Sequence, residues 1–222
     1  MKKSLIFILL FGLLLSRFSV AQKMLTDKET FAHYDCFSGP FVEYDSWLAM
    51  MTKGSQRKAK TPEELERRLA KFKEVFSRES FERYKESIDC AMFKYPVGNL
   101  TVSGYVMKPK GQTDLPVLIY NRGGNGRYGA VVFGAMMAKL FPMAEQGFAI
   151  IGSQYRGSFD KEVVNGEYDE FGGSDVLDVV KLAKYIPYIT GVDSAKVGMY
   201  GSSRGGMQTF LAMQKMPELK AD

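Results

Sequence analysis

One serine in this chain sits between glycines at a spacing that suits nucleophilic chemistry. The stretch Gly201-Ser202-Ser203-Arg204-Gly205-Gly206 follows directly on the short apolar run Lys196-Val197-Gly198-Met199-Tyr200. Read as G-x-S-x-G with Ser203 at its centre, it has the form of a nucleophile elbow, a strained strand-to-helix turn that holds a serine oxygen over a cleft. The glycines have a steric purpose. Residues two before and two after the serine approach so closely that a Cβ would clash, and the serine itself takes a costly backbone conformation. Gly201, Gly205 and Gly206 are therefore expected to shape the turn. The helix that follows directs its first amides at the reacting centre, which makes the Arg204 N–H a candidate donor to a developing oxyanion.

A serine delivered this way needs a strand before it, a helix after it and a second loop facing it. From residue 88 onward, short apolar runs punctuated by glycine and proline alternate with helical patterns, as in an α/β domain. Ala91 to Tyr95 and Leu100 to Met107 read as a hairpin around Pro96-Val97-Gly98-Asn99. Leu115 to Tyr120 reads as a strand buried on both faces. A helix ending near Gln146-Gly147 leads to a strand at Phe148 to Ile151. Ser174-Asp175 is expected to cap a helix carrying Val176, Val179, Val180, Ala183 and Ile186 on one side. The fifth strand delivers Ser203.

The loop after the third strand, Asn121-Arg122-Gly123-Gly124-Asn125-Gly126-Arg127-Tyr128-Gly129, contains a literal G-x-G-x-x-G from Gly124 to Gly129. That pattern carries a second reading, an NADP-dependent oxidoreductase that holds a pyrophosphate on a helix N-terminus. Against it, the next strand runs into Gln154-Tyr155-Arg156 with no acid for a ribose, and the chain has no Tyr-x-x-x-Lys pair. No cofactor is expected on the hydrolytic reading. With one histidine and no close Cys/His cluster, no metal site is expected either.

Residues 22 to 87 have a different texture. Thr61-Pro62-Glu63-Glu64 combines a capping threonine, proline at the first helical position and glutamate at the third. Leu65, Leu69, Phe72 and Phe76 follow at steps of three and four, so a helix to about Phe76 is expected, with a second around Phe81, Tyr84 and Ile88. Lys53 to Lys60 reads as a solvated linker. The aromatics Tyr34, Phe37, Phe41, Tyr44 and Trp47 read as packing, the alternative being the lining of a substrate entrance.

At the amino terminus, Met1-Lys2-Lys3, the apolar run Leu5 to Leu15 and Ser19-Val20-Ala21 have the three regions of a secretory signal, cut after Ala21. The run is shorter than the ~20 residues of a membrane span. Periplasmic or extracellular location is therefore expected, with no membrane association beyond export. Cleavage removes Lys2, Lys3 and Arg17 and no acid, taking the net charge from +5 to +2, too little for nucleic-acid binding. Cys36 and Cys90 stay in the exported part as either a bridge or two buried thiols.

In this order and spacing, residues of about 90 to 217 resemble the α/β-hydrolase domain of the prolyl oligopeptidase family of serine peptidases. The likeness is carried by the glycine loop after Pro116-Val117-Leu118-Ile119-Tyr120, by Gln154-Tyr155-Arg156-Gly157-Ser158, by Asp175 to Tyr185 leading through Asp193 to Val197, and by Gly201 to Gly206. The resemblance implies an α/β fold with a mostly parallel, hydrolase-like sheet, here of about five strands. With the readings above, the chain is expected to divide into a signal (1–21), a helical segment (22–87) and the amino-terminal part of a hydrolase domain (88–222). It implies Ser203 as the nucleophile that forms an acyl-enzyme with a small peptide or ester, and the Arg204 amide as part of the oxyanion hole. Oligopeptidases use a tyrosine hydroxyl from the first loop as a second donor. Arg122 stands in that loop here, with Gly123 and Gly124, and either donates from its guanidinium or braces the loop.

The other two members of a Ser, Asp, His triad belong after Ser203 in this fold. Met207 to Asp222 contain no histidine, and the sole His33 precedes the domain, where it reads as an ordinary loop residue. The expectation is a hydrolase truncated after its elbow helix, with little or no activity as it stands. A non-enzymatic binding module that keeps the fold is the other reading of a missing base.

Overall fold

The computed structural model describes residues 24–159 and 168–216. The export signal expected at residues 1–21 and the last six residues lie outside them. Among the described residues six strands form one sheet, β1 (Phe31–Asp35), β2 (Ile88–Val97), β3 (Leu100–Pro109), β4 (Leu115–Asn121), β5 (Ala149–Ser153) and β6 (Val192–Gly201), in the order β1-β2-β3-β5-β4-β6. The β2/β3 hairpin turns at Gly98, where φ is +59°. The β1/β2, β2/β3 and β3/β5 pairings are antiparallel, while β5/β4 and β4/β6 are parallel. The sheet is thus mixed rather than mostly parallel, and its parallel part is the half that carries the elbow.

Side chains alternate along the central strands and fill both faces, as doubly covered strands require. Val117 and Ile119 of β4 join Ala149 and Ile151 of β5 in one core. Two helices cover that face, α5 (Val176–Ala183) and α6 (Arg204–Lys215), through Val176, Val179, Leu182 and Ala212. Tyr120 and Ile150 face the other way, against α1 (Tyr44–Gln56), α2 (Pro62–Val75), α3 (Arg78–Ser87) and α4. The last is a composite of Phe133–Ala135, a π-helical turn at Met136–Leu140, and Phe141–Glu145.

The α2 start follows the chemistry of its sequence. Thr61 accepts a hydrogen bond from the Glu64 N–H at 3.2 Å, with Pro62 in the first turn. Ser77 caps α3 in the same way. The segment from 22 to 87 departs from its reading in two places. It contributes β1 to the sheet, and α1 runs on through Lys53 to Gln56, so half of the expected linker is helix. Phe37, Tyr44 and Trp47 pack as an aromatic cluster, with Trp47 edge-on to Phe72 and to Phe133 at 4.9 Å between ring centres. Cys36 and Cys90 form a disulfide that ties the end of β1 to β2, their Cα atoms 5.4 Å apart.

Asp175 precedes α5 but does not cap it with its side chain. Its carboxylate accepts instead from the Glu170 and Gly172 N–H groups and from Arg204 and Gln208 of α6. Among the described residues, no helix is long and apolar enough to cross a membrane.

Candidate active site

The crossover from β5 to β6 passes over β4, so the loops after β4 and β6 leave neighbouring strands at one end of the sheet. Asn121, the last residue of β4, pairs with Gly201, the last of β6. Crevices beyond the carboxyl ends of parallel strands, where the winding changes direction, are where α/β proteins place ligands. Ser203 stands in this crevice with φ +57° and ψ −125°, a backbone conformation that costs a non-glycine residue on the order of 1–3 kcal/mol. It is exposed and immediately precedes α6.

The turn around it leaves no room for side chains at two positions. A Cβ on Gly201 would lie 2.0 Å from the Gly205 carbonyl oxygen, and one on Gly205 would lie 1.9 Å from the Asn121 oxygen. Gly206 differs, because its Cβ would meet nothing closer than 3.7 Å. Gly123 faces the nucleophile: a Cβ there would come within 3.4 Å of Ser203 Cβ and 2.9 Å of the Ser202 oxygen. The Arg204 N–H occupies the first position of α6, where no carbonyl within the helix can accept its bond. Ser203 opens on a cavity of about 400 Å³, walled by Tyr120, Tyr128, Val131 and Leu140 and lined also by Lys139 of the π-helical turn.

The Arg122 guanidinium is not available to an oxyanion, which corrects one of the two roles the sequence allowed it. The residue is 1% exposed. Its Nε donates to the Gln154 oxygen at 3.0 Å, its Nη1 to Gly123 and Tyr128 at 3.0 and 3.2 Å, and its Nη2 to Gly126 at 2.9 Å and Ser158 Oγ at 2.6 Å. Burial lowers its pKa from the usual arginine value. The same bonds account for the G-x-G-x-x-G. Gly124 and Gly129 have φ of +78° and +82° and fold the loop so tightly that a Cβ on either would strike loop carbonyls. The loop closes around an arginine, and the next helix begins only at Phe133. It has the shape of a brace for the nucleophile rather than a phosphate cradle on a helix end.

A buried polar network lies beneath, and sequence reasoning did not assemble it. Arg204 donates to the Gly124 oxygen at 2.9 Å and to Asp169 Oδ2 at 2.8 Å, and pairs with Asp175. The guanidinium carbons of Arg122 and Arg204 both lie over the Tyr155 ring, 4.6 and 4.9 Å from its centre. Tyr155 has φ +61°, and its hydroxyl, whose pKa burial raises, donates to the Arg122 carbonyl at 3.1 Å. The Gln154 side chain holds Val131 in the cavity wall by both its N–H and its carbonyl. Nothing local announces these pairs, since their members lie 23 to 80 residues apart.

His33 lies on β1, at the opposite edge of the sheet. Five strand spacings of ~4.8 Å separate it from β6, about 24 Å. Its ring stacks on Phe93 and its Nε2 bonds Thr30 Oγ1 at 3.1 Å. The structure does not bring it to Ser203.

Residues 135–219 match the prolyl oligopeptidase family. No curated protein sequence matches the chain. Among solved structures, a Bacteroides ovatus protein named for dipeptidyl aminopeptidase IV superposes with a TM-score of 0.51 at 22% identity, over 60% of this chain and 20% of its own. Acetyl xylan esterase 1 from Thermoanaerobacterium aligns at 19% identity and a TM-score of 0.46, over 59% of this chain and 45% of its own. The acylaminoacyl peptidase of Pyrococcus horikoshii aligns at 23% and 0.43, over 57% and 21%. The chain spans about a fifth of the length of the first of these. The likeness to the Bacteroides protein gives the α/β-hydrolase fold, and the family match supports a serine hydrolase in general terms.

Proposed function

From a prolyl oligopeptidase family match across residues 135–219, we propose that this chain carries the nucleophile of an exported serine hydrolase, with Ser203 attacking the acyl carbonyl of a small peptide or ester. The observation that carries the reading is the conformation of Ser203. A serine at φ +57°, between two glycines with no space for a Cβ, persists only where surrounding structure enforces it.

The hydroxyl adds to the carbonyl carbon, and the carbonyl oxygen takes the negative charge. The Arg204 N–H receives that charge together with the backbone N–H groups at Gly123 and Gly124, since the Arg122 side chain is committed to the loop. Collapse expels the amine or alcohol and leaves an acyl-serine, which water then hydrolyses. The attacking hydroxyl must lose a proton, and the one histidine of the chain is at the far edge of the sheet. Alone, the chain therefore reacts slowly, with the help of the oxyanion donors and binding only.

Incubation with a fluorophosphonate and peptide mapping tests this. Slow modification confined to Ser203, faster when imidazole is supplied from solution and lost in Ser203→Ala, is expected. Modification that persists in Ser203→Ala would overturn the assignment. Export rests on the signal-like residues 1–21 and is supported by the Cys36–Cys90 bridge, a chemistry of oxidising compartments. The exported protein should begin at Gln22 on amino-terminal sequencing.

A further inference from the structure

We propose that Asp169 is a positioning residue that fixes the spacing between the two halves of the oxyanion hole; the inference rests on the reading of Ser203 as nucleophile. The two sets of donors come from different loops. Arg204 belongs to the elbow after β6, and Gly123 and Gly124 to the loop after β4. An oxyanion gains full stabilisation only where its donors are held at a fixed separation, and a misplacement of about 1 Å costs about 100-fold in rate.

One carboxylate oxygen joins the two loops. Asp169 Oδ2 accepts from Arg204 Nη1 at 2.8 Å, from the Gly126 N–H at 3.0 Å, from Arg122 Nη2 at 3.4 Å and from Ser158 Oγ at 3.5 Å. The first bond holds the elbow and the next two hold the glycine loop. Arg204 completes the link through its bond to the Gly124 carbonyl, next to the residue that faces Ser203. The Asp169 side chain is 1% exposed, and both arginines are equally buried. A cluster of this kind is a poor stabilising device, because desolvation of the charges offsets most of their attraction. What it supplies is a rigid geometry. Among the described residues the carboxylate is the one group that receives bonds from both sides, and Asp169→Asn removes the charge facing two guanidinium groups: its amide oxygen can keep the Oδ2 position, while its NH2 is left at the buried Oδ1 position, where no described group accepts from it.

The test compares Asp169→Asn with Asp178→Asn, which removes another buried aspartate paired with an arginine, one whose carboxylate bonds Arg156 rather than either of the two loops. With imidazole present, Asp169→Asn is expected to lower the limiting rate of Ser203 modification by about 100-fold, with the half-saturating probe concentration changed less than threefold. Asp178→Asn should keep the wild-type rate. Amide hydrogen exchange followed by mass spectrometry gives a readout independent of reactivity. Peptides covering 121–130 and 202–208 should both exchange faster in Asp169→Asn, and neither should in Asp178→Asn. Loss of rate equal in the two variants, or loosening of one segment without the other, would overturn the proposal. A wild-type chain that never reacts at Ser203 would defeat the hydrolase reading alone, and the exchange pattern would still decide this one. Should Asp169→Asn fail to fold, Arg204→Lys keeps the charge but cannot span Asp169, Asp175 and Gly124 together, and it should give an intermediate loss in both measurements.

Discussion

Alanine substitutions at the adjacent glycines 205 and 206 should have opposite signs, which makes the pair a sharp test of the elbow. Both residues lie in the first turn of α6, where helix propensity alone favours alanine over glycine by up to ~1 kcal/mol. At Gly206 the added methyl would meet only ordinary contact at 3.7 Å, so Gly206→Ala should stabilise by about 0.5–1 kcal/mol. At Gly205 it would sit 1.9 Å from the Asn121 oxygen, 2.7 Å from its carbon and 3.0 Å from the Arg122 oxygen. A carbon-to-oxygen contact relaxes near ~3.3 Å, so a shift of more than ~1 Å is required. Asn121 cannot supply it cheaply, because it is paired with Gly201 in the sheet and its side chain donates to Thr209 of α6. Overpacking against backbone costs about 1–3 kcal/mol. Net destabilisation of about 2 kcal/mol is expected for Gly205→Ala, and the two variants should differ by roughly 3 kcal/mol. For a chain of this size that is about 6–12 °C in Tm. Thermal unfolding measures the first quantity. The Ser203 modification rate measures the second consequence, since moving the start of α6 also moves the Arg204 N–H, and Gly205→Ala should lose about 100-fold. If Gly205→Ala proves as stable and as reactive as the wild type, the close approach of elbow and glycine loop is wrong, and with it the account of Ser203.

Replacing Cys36 and Cys90 together by serine opens a loop of 54 residues, and chain entropy puts the loss at about 4 kcal/mol in denaturant unfolding; a loss under about 1 kcal/mol would show that the β1 edge does not depend on the bridge. Stability should also respond to pH through two groups of opposite sign. Burial pushes the Asp178 carboxyl up to about 6 from 3.8 despite the Arg156 guanidinium beside it, so its contribution is present below about 4 and lost as pH rises through 6; Asp178→Asn should remove that fall. Burial lowers the pKa of His33 below its ordinary 6.5, so its contribution is present above that value and lost as pH falls; His33→Gln should flatten the acid side, and an unchanged profile would refute the assignment. Lys139 is the one lysine or arginine among the described residues lining the Ser203 cavity, so Lys139→Glu should lower the reactivity of Ser203 toward anionic activated esters relative to neutral ones several-fold, read as the ratio of acylation rates by intact mass.

The elements that could be read from sequence are those set by local rules. Thr61, Pro62 and Glu64 act within one turn of backbone, and the β2/β3 hairpin turns at a glycine of positive φ. The unread ones have no such rule. β1 is an edge strand, mostly exposed, kinked at Ala32 with φ +50°, and it shifts register between Phe31 and Tyr34, so Phe-Ala-His-Tyr-Asp shows no alternation. In α1 no side chain caps the start and only Tyr44 and Trp47 are buried, so its end, with lysine, glycine and serine, reads as linker.

The candidate site divides along the same line, for a physical reason. The clash that forces glycine at 201 and 205 is a property of one tight turn, and it would hold in any protein that makes the turn. The charges that hold the turn in place obey no such constraint. Thirty cationic and twenty-five acidic side chains offer many ways to neutralise Arg122 and Arg204, and only the fold selects Asp169 and Asp175. Arg122 could be either donor or brace in the sequence because a guanidinium serves both. The carbonyls of Gly123, Gly126, Tyr128 and Gln154 converge on it only after the loop has closed. A nucleophile is therefore legible from its immediate neighbours, whereas the groups that make its oxyanion donors rigid come from loops far along the chain.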